Sequence, residues 1–171
     1  MSRNDRVEAL RVISGGQTGV DRAALDVALK LGLPCGGTCP KGRRADDGRI
    51  PDRYPLLESD ATAYPARTER NVVDADATLV LTSGTPTGGT ALTIDLAKRH
   101  DRPCYVIDVD RPDADTLVQA WLRDHHVRTL NVAGPRESGS HGIHARASRL
   151  LERLLSTGPA HGCGRAPGPR P

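Results

Sequence analysis

A doubly wound parallel α/β sheet of about five strands, with helices on both faces, is the fold this sequence predicts, and three observations predict it. Short β-branched runs alternate with longer helical stretches along most of the chain, the pattern of successive βαβ units. Two glycine-rich turns, Ser14-Gly15-Gly16-Gln17-Thr18-Gly19-Val20-Asp21 and Thr85-Pro86-Thr87-Gly88-Gly89-Thr90, each follow an apolar run and each open onto a helical run. The 171 residues, 37% of them hydrophobic, supply one domain with a core of its own, expected over residues 1–156.

The elements follow in order. Residues 10–14 form the first strand, around Val12 and Ile13. Residues 21–31 form the first helix, with Ala24, Leu25, Ala28 and Leu31 at helical spacing on one face and Gly32 as the terminating glycine. A short strand is expected at 34–38. Residues 39–64 are rich in Gly, Pro, Asp and Arg, and form a loop long enough to be functional or poorly ordered. A helix over 65–75 places Pro65 in its first turn. Residues 77–81 read as a buried strand, 91–100 as its helix and 104–107 as the next strand. Residues 112–125 are amphipathic, with Leu117, Val118, Ala120 and Trp121 facing inward. A last strand at 129–133 leads through the polar loop 134–140 to a closing helix at 141–155. From 157 to 171, Gly, Pro and Arg dominate, so this tail is expected to be disordered.

Composition excludes several classes. The 24 basic and 21 acidic side chains leave a formal charge of +3, too balanced to argue for nucleic acid. No run approaches the ~18 apolar residues of a membrane helix. The opening Met1-Ser2-Arg3-Asn4-Asp5-Arg6 reads as a lead-in to the first strand rather than an export signal, so a cytoplasmic location with reduced thiols is expected. Cys35 and Cys39 lack the second pair that zinc spacing requires, and no metal site is expected.

Ligands of doubly wound sheets bind outside the carboxyl ends of the strands, where both glycine turns lie. A strand, a glycine turn and a helix N-terminus form an anion site, because backbone N–H groups point outward and the helix dipole is positive there. Gly15, Gly16, Gln17, Thr18 and Gly19 supply one half of such a cradle, and Gly88, Gly89 and Thr90 the other. The first turn is neither a dinucleotide fingerprint nor a Walker loop, and its glycines also fit a tight turn needing positive φ. Asp21 would repel a phosphate, and so suits a helix cap or a ligand hydroxyl or amine. Lys41, Arg43 and Arg44 could clamp an anion or form a solvated basic run, with Asp46 and Asp47 partly cancelling them. Arg67, Thr68 and Asn71 could face the cleft, or Arg67 could pair with Glu69 or Asp74 at the surface. Arg136, Glu137 and Ser138 cluster at the rim, and His141 and His144 read as surface histidines. No nucleophile–base pair stands out; Asp21, Glu69 and Glu137 are the candidate acids or bases of an enzyme.

Taken together, Ser14 to Ala24, Cys39-Pro40-Lys41-Gly42-Arg43-Arg44-Ala45, Arg67-Thr68-Glu69 with Asn71-Val72, Gly88-Gly89-Thr90-Ala91-Leu92-Thr93 and Asn131 to Ser138 occur in an order that resembles the "putative molybdenum carrier" family, over roughly residues 10–156. The resemblance implies a Rossmann-like fold related to the lysine-decarboxylase-like phosphoribohydrolases. It also implies a homo-oligomer, dimer or tetramer, and binding of the molybdenum cofactor or a similar anionic, nucleotide-like ligand. Thr38 stands where an aromatic residue, usually Trp, is expected in that family. The related phosphoribohydrolases carry a glutamate after their glycine loop, where this chain has Ala91-Leu92-Thr93. General acid–base cleavage of an N-glycosidic bond needs such a carboxyl group. The leading expectation is therefore a carrier in which the two glycine turns hold an oxyanion, Lys41, Arg43 and Arg67 neutralise it, and Arg136 and Ser138 close the rim. A nucleotide-processing hydrolase and a nucleotide sensor are the alternatives.

Overall fold

The computed structural model describes residues 10–60 and 64–156; the tail at 157–171 lies outside them. In chain order the elements are β1 (Arg11–Ile13), α1 (Val20–Lys30), β2 (Cys35–Gly36), β3 (Thr38–Cys39), β4 (Arg44–Ala45), β5 (Gly48–Arg49), β6 (Leu57–Glu58), α2 (Tyr64–Asp74), β7 (Ala77–Thr82), α3 (Gly88–Arg99), β8 (Cys104–Asp108), α4 (Ala114–Asp124), β9 (Thr129–Ala133) and α5 (Ile143–Ser156). Five strands form one parallel sheet in the order β2-β1-β9-β7-β8.

This order fixes where each helix lies. A crossover between parallel strands is right-handed in nearly all proteins, so its direction along the sheet decides its face. The steps β1 to β2 and β8 to β9 run one way, and α1, α4 and α5 share one face, packed on Val12, Leu79, Leu81, Leu130 and Val132. The steps leading into β7 and from β7 to β8 run the other way, and α2 and α3 pair on the opposite face through Val72, Leu96 and Ala97. Between β1 and β7 the crossover direction reverses, with β9 filling the gap. A crevice opens at that reversal.

Three sequence expectations need revision. Helix α1 buries far more than one face. Val20, Ala23, Ala24, Val27 and Ala28 meet the main core, whereas Leu25 joins a second cluster with Cys39, Ile50, Tyr54 and Leu56. That cluster comes from the second revision: residues 39–60 are an ordered flap over α1. They carry a parallel pair, β3 with β6, and an antiparallel pair, β4 with β5. Third, α3 begins at Gly88, so the second glycine pair forms its first turn instead of preceding it. The end of α1 agrees with expectation. Gly32 has φ +68, and Leu33 N donates to Ala28 O while Gly32 N donates to Leu29 O, the two bonds of a glycine-terminated helix.

Arg43 holds the flap together. Its guanidinium donates to four backbone carbonyls: Nε to Ile50 O at 3.1 Å, Nη1 to Leu56 O at 3.2 Å, and Nη2 to Pro51 O at 2.9 Å and Tyr54 O at 3.0 Å. The residue is only 8% exposed. Buried carbonyls need donors, and a planar fork with five N–H groups can serve several at once. Asn71 does similar work at the flap's edge, where its amide accepts from Thr38 N at 2.8 Å and donates to Thr38 O at 2.9 Å.

Candidate functional site

The turns after β1, β7 and β9, closed on one side by α2, enclose a cleft of about 260 Å³. Gly15 and Gln17 line it from the first turn, and Gly88, Gly89 and Thr90 from the start of α3. Two turns far apart in sequence thus share one cavity. Gly19 allows the close approach of the first and third turns. It has φ +84, and a Cβ there would lie 2.3 Å from Pro135 O. Thr18 Oγ1 strengthens the junction by accepting from Glu137 N at 3.3 Å.

The donor side of the cleft is the α3 N-terminus. No side chain caps it; Thr87 makes no capping bond. Thr90 N and Ala91 N donate to Thr87 O, while the N–H groups of Gly88 and Gly89 find no acceptor among the described residues. Thr90 is buried, and its hydroxyl has no partner among the described residues. Orphan N–H groups at a positive helix end are an anion cradle. Two guanidinium groups line the same cleft, those of Arg67 and Arg136. Arg136 Nη1 lies 2.7 Å from Asp46 Oδ1.

Asp21 and Arg67 form the charged pair inside the cleft, Nη1 to Oδ2 3.4 Å apart, with side chains 8% and 13% exposed respectively. Burial raises the Asp21 carboxyl above its ordinary value; Arg67 and the N–H of Gln17 pull it partly back. A raised folded-state value means the native state binds this proton more tightly than the unfolded chain. The resulting stability is therefore complete below the ordinary carboxyl value of 3.8 and lost as pH rises through the raised one. Urea midpoints of the parent and of Asp21→Asn are expected to diverge accordingly, the parent losing ground to the variant as pH increases. A pH-independent gap between them would contradict this assignment.

Several expected site residues lie elsewhere. Arg43 is buried in the flap, and its guanidinium is committed to backbone carbonyls, so it cannot clamp a ligand in the cleft. Lys41 borders a separate surface groove with Glu58 and Asp60. Gly16 faces Leu56 and Ile50 of the flap instead of the cavity. Ser138 donates to Asp46 Oδ2 at 2.7 Å and is not among the lining residues. Glu69 pairs with His100 at 2.6 Å on the surface. Glu137 accepts from Gly142 N and His144 N at the start of α5, and the bond from His144 chiefly holds its carboxyl below the ordinary value. Of the three candidate acids, only Asp21 lines the cleft.

Other residues enter the site for which the sequence predicts no binding role, although Thr93 and Asn131 lie at the ends of motif blocks. Thr82 ends β7, Thr93 lies one turn into α3, and Asn131 sits between Leu130 and Val132 in β9; all three are buried and line the cleft. A buried amide inside an apolar strand is the available sequence signal for Asn131. Asp46 is an organiser: it bonds Gln17, Arg136 and Ser138 and so ties the β4–β5 turn to the first and third loops. Arg22 and Asp47 pair alongside it. Cys35 and Cys39 are free thiols raised by burial, and among the described residues no three His, Cys, Asp or Glu side chains gather as a metal site. Among the described residues no helix is long and apolar enough to cross a membrane.

The sequence profile of the circularly permutated YpsA SLOG family matches residues 12–155. A crystal structure described as "Putative molybdenum carrier protein", from Syntrophus aciditrophicus SB, is 46% identical and superposes with a TM-score of 0.84. The match covers 86% of this chain and 96% of that one. The search of curated proteins found no match.

Proposed function

We propose, from the premise that this chain belongs to the circularly permutated YpsA SLOG family, that it is a small-molecule binding protein whose cleft holds an oxyanion of its ligand at the first turn of α3. Gly89 carries this reading. Its φ is not in the left-handed region, and a Cβ built on it meets nothing within 4 Å. The protein itself thus has no need of glycine there, whereas a ligand approaching the backbone N–H groups does. The buried hydroxyl of Thr90 beside it adds a donor already in place. Arg67 and Arg136 supply the countercharge, and Gly15 and Gln17 form the opposite wall, with Gly16, Thr18 and Gly19 shaping the turn behind them.

The 46%-identical neighbour carries the description "Putative molybdenum carrier protein". The molybdenum cofactor, a phosphorylated ring-bearing anion, is therefore the first ligand to test, and its carriage or protection in the cytoplasm by a homo-oligomer is the role that goes with it. Binding is favoured over turnover because Asp21, the one candidate acid in the cleft, is engaged by Arg67. Calorimetric titration with molybdenum cofactor, inorganic phosphate and a panel of nucleoside monophosphates tests the proposal. Saturable cofactor binding at least about tenfold tighter than the nucleotides, roughly 1.4 kcal/mol, supports a dedicated carrier. Equal millimolar binding of every anion removes that role and leaves only a general anion cradle.

A further inference from the structure

We infer that the floor of this cleft is a hydrogen-bond-accepting surface that selects O–H or N–H groups on the uncharged part of the ligand, a conclusion that rests on the binding role proposed above. Thr82 and Thr93 line the cleft while only 6% and 3% exposed. Thr82 Oγ1 donates to Ile107 O at 3.3 Å, and Thr93 Oγ1 donates to Gly89 O at 2.9 Å. A hydroxyl has one proton and a carbonyl can only accept, so both protons are already used. What either threonine can offer a ligand is lone pairs.

Their neighbours extend the pattern. Asp21 lines the same cavity, and its carboxyl already accepts from Arg67 Nη1 and from Gln17 N, so it adds acceptor oxygens to the floor. Asn131, 3% exposed, donates to Thr78 Oγ1 at 3.3 Å; its amide oxygen adds an acceptor to the floor, while its second N–H stays a donor. Burying polar groups this deeply is costly unless something completes their bonds. The cavity is therefore polarised. Donors surround the α3 N-terminus, where an anion belongs, and acceptors line the floor. The matching occupant joins an oxyanion to a hydroxylated or N–H-bearing body. A plain hydrocarbon body would leave the floor unsatisfied, and a second anionic group would meet lone pairs.

The probe pair is myo-inositol 1-phosphate and cyclohexyl phosphate, which share ring size and anion and differ in hydroxyls. By calorimetry, the inositol phosphate is expected to bind at least about tenfold more tightly, the equivalent of one or two buried hydrogen bonds. Thr93→Val, which removes the lone pairs at nearly constant shape, should reduce that ratio to about threefold or less, and Thr93→Ser should restore it. Equal affinity of the two probes would overturn the accepting floor while leaving the anion cradle standing. Failure of both probes and of inorganic phosphate to bind would overturn cradle and floor together. A ratio untouched by both Thr93→Val and Thr82→Val would overturn the assignment to these threonines. The comparison on the parent protein needs no variant, so it decides even where a substitution fails to fold.

Discussion

Gly89→Ala is expected to weaken phosphate-type anion binding by about tenfold or more while leaving the protein as stable as the parent, or more stable by up to about 1 kcal/mol. The two halves of this result come from one geometry. On the protein side, alanine is the better helix former, the position lies in the first turn of α3, and the added methyl meets no atom within 4 Å. On the ligand side, Gly89 lines the cleft at the uncapped end of α3, so a methyl there takes up space beside the N–H groups that would hold an oxyanion. A charge-assisted hydrogen bond is worth about 1.5–3 kcal/mol, so losing even one is easily seen. Titration with inorganic phosphate beside a urea melt reads both quantities on one preparation. A variant that binds as the parent does would place the anion elsewhere.

Arg43→Ala should do the reverse. It removes the donor to four carbonyls and is expected to destabilise the fold by about 3 kcal/mol or more, lowering the melting temperature by roughly 6–12 °C. Lysine cannot fork across four acceptors, so Arg43→Lys should recover little of the loss. Lys41→Ala, two residues away on an open groove, is expected to stay within about 0.5 kcal/mol of the parent. Thermal melts of the three variants separate a folding role for the basic run from a ligand-clamping one. Near-parental stability of Arg43→Ala would show that the flap holds without its guanidinium.

The contrast between these arginines also explains what the sequence discloses and what it hides. Alternating apolar runs locate the sheet: β9 falls at Thr129–Ala133, as its β-branched pattern indicates, and the convergence of the two glycine turns follows from both being carboxyl-end loops. Arg67 and Thr68 reach the cleft because they project from the inner side of an amphipathic helix, again a periodic signal. Arg43 has no such signal. A side chain that satisfies backbone carbonyls from Ile50 to Leu56 acts through geometry, not spacing, and its neighbourhood of Gly, Pro and Asp resembles a loop. Asp46 is hidden for the same reason: beside a basic run it looks like charge compensation, whereas its bonds join three distant loops. Gly88 and Gly89 conceal the start of α3 because glycine is a poor helix former, yet in a first turn, where N–H groups lack helical partners anyway, that weakness matters little.

One feature of the strand order bears on how the molecule is made. The strand at the middle of the sheet, β9, is the last of the five to leave the ribosome. Until Thr129–Ala133 emerges, only two ladders of the central sheet have both their strands, β1 with β2 and β7 with β8, each missing its inner neighbour. Ligand capture thus waits for β9, a late segment that slots between two halves synthesised before it.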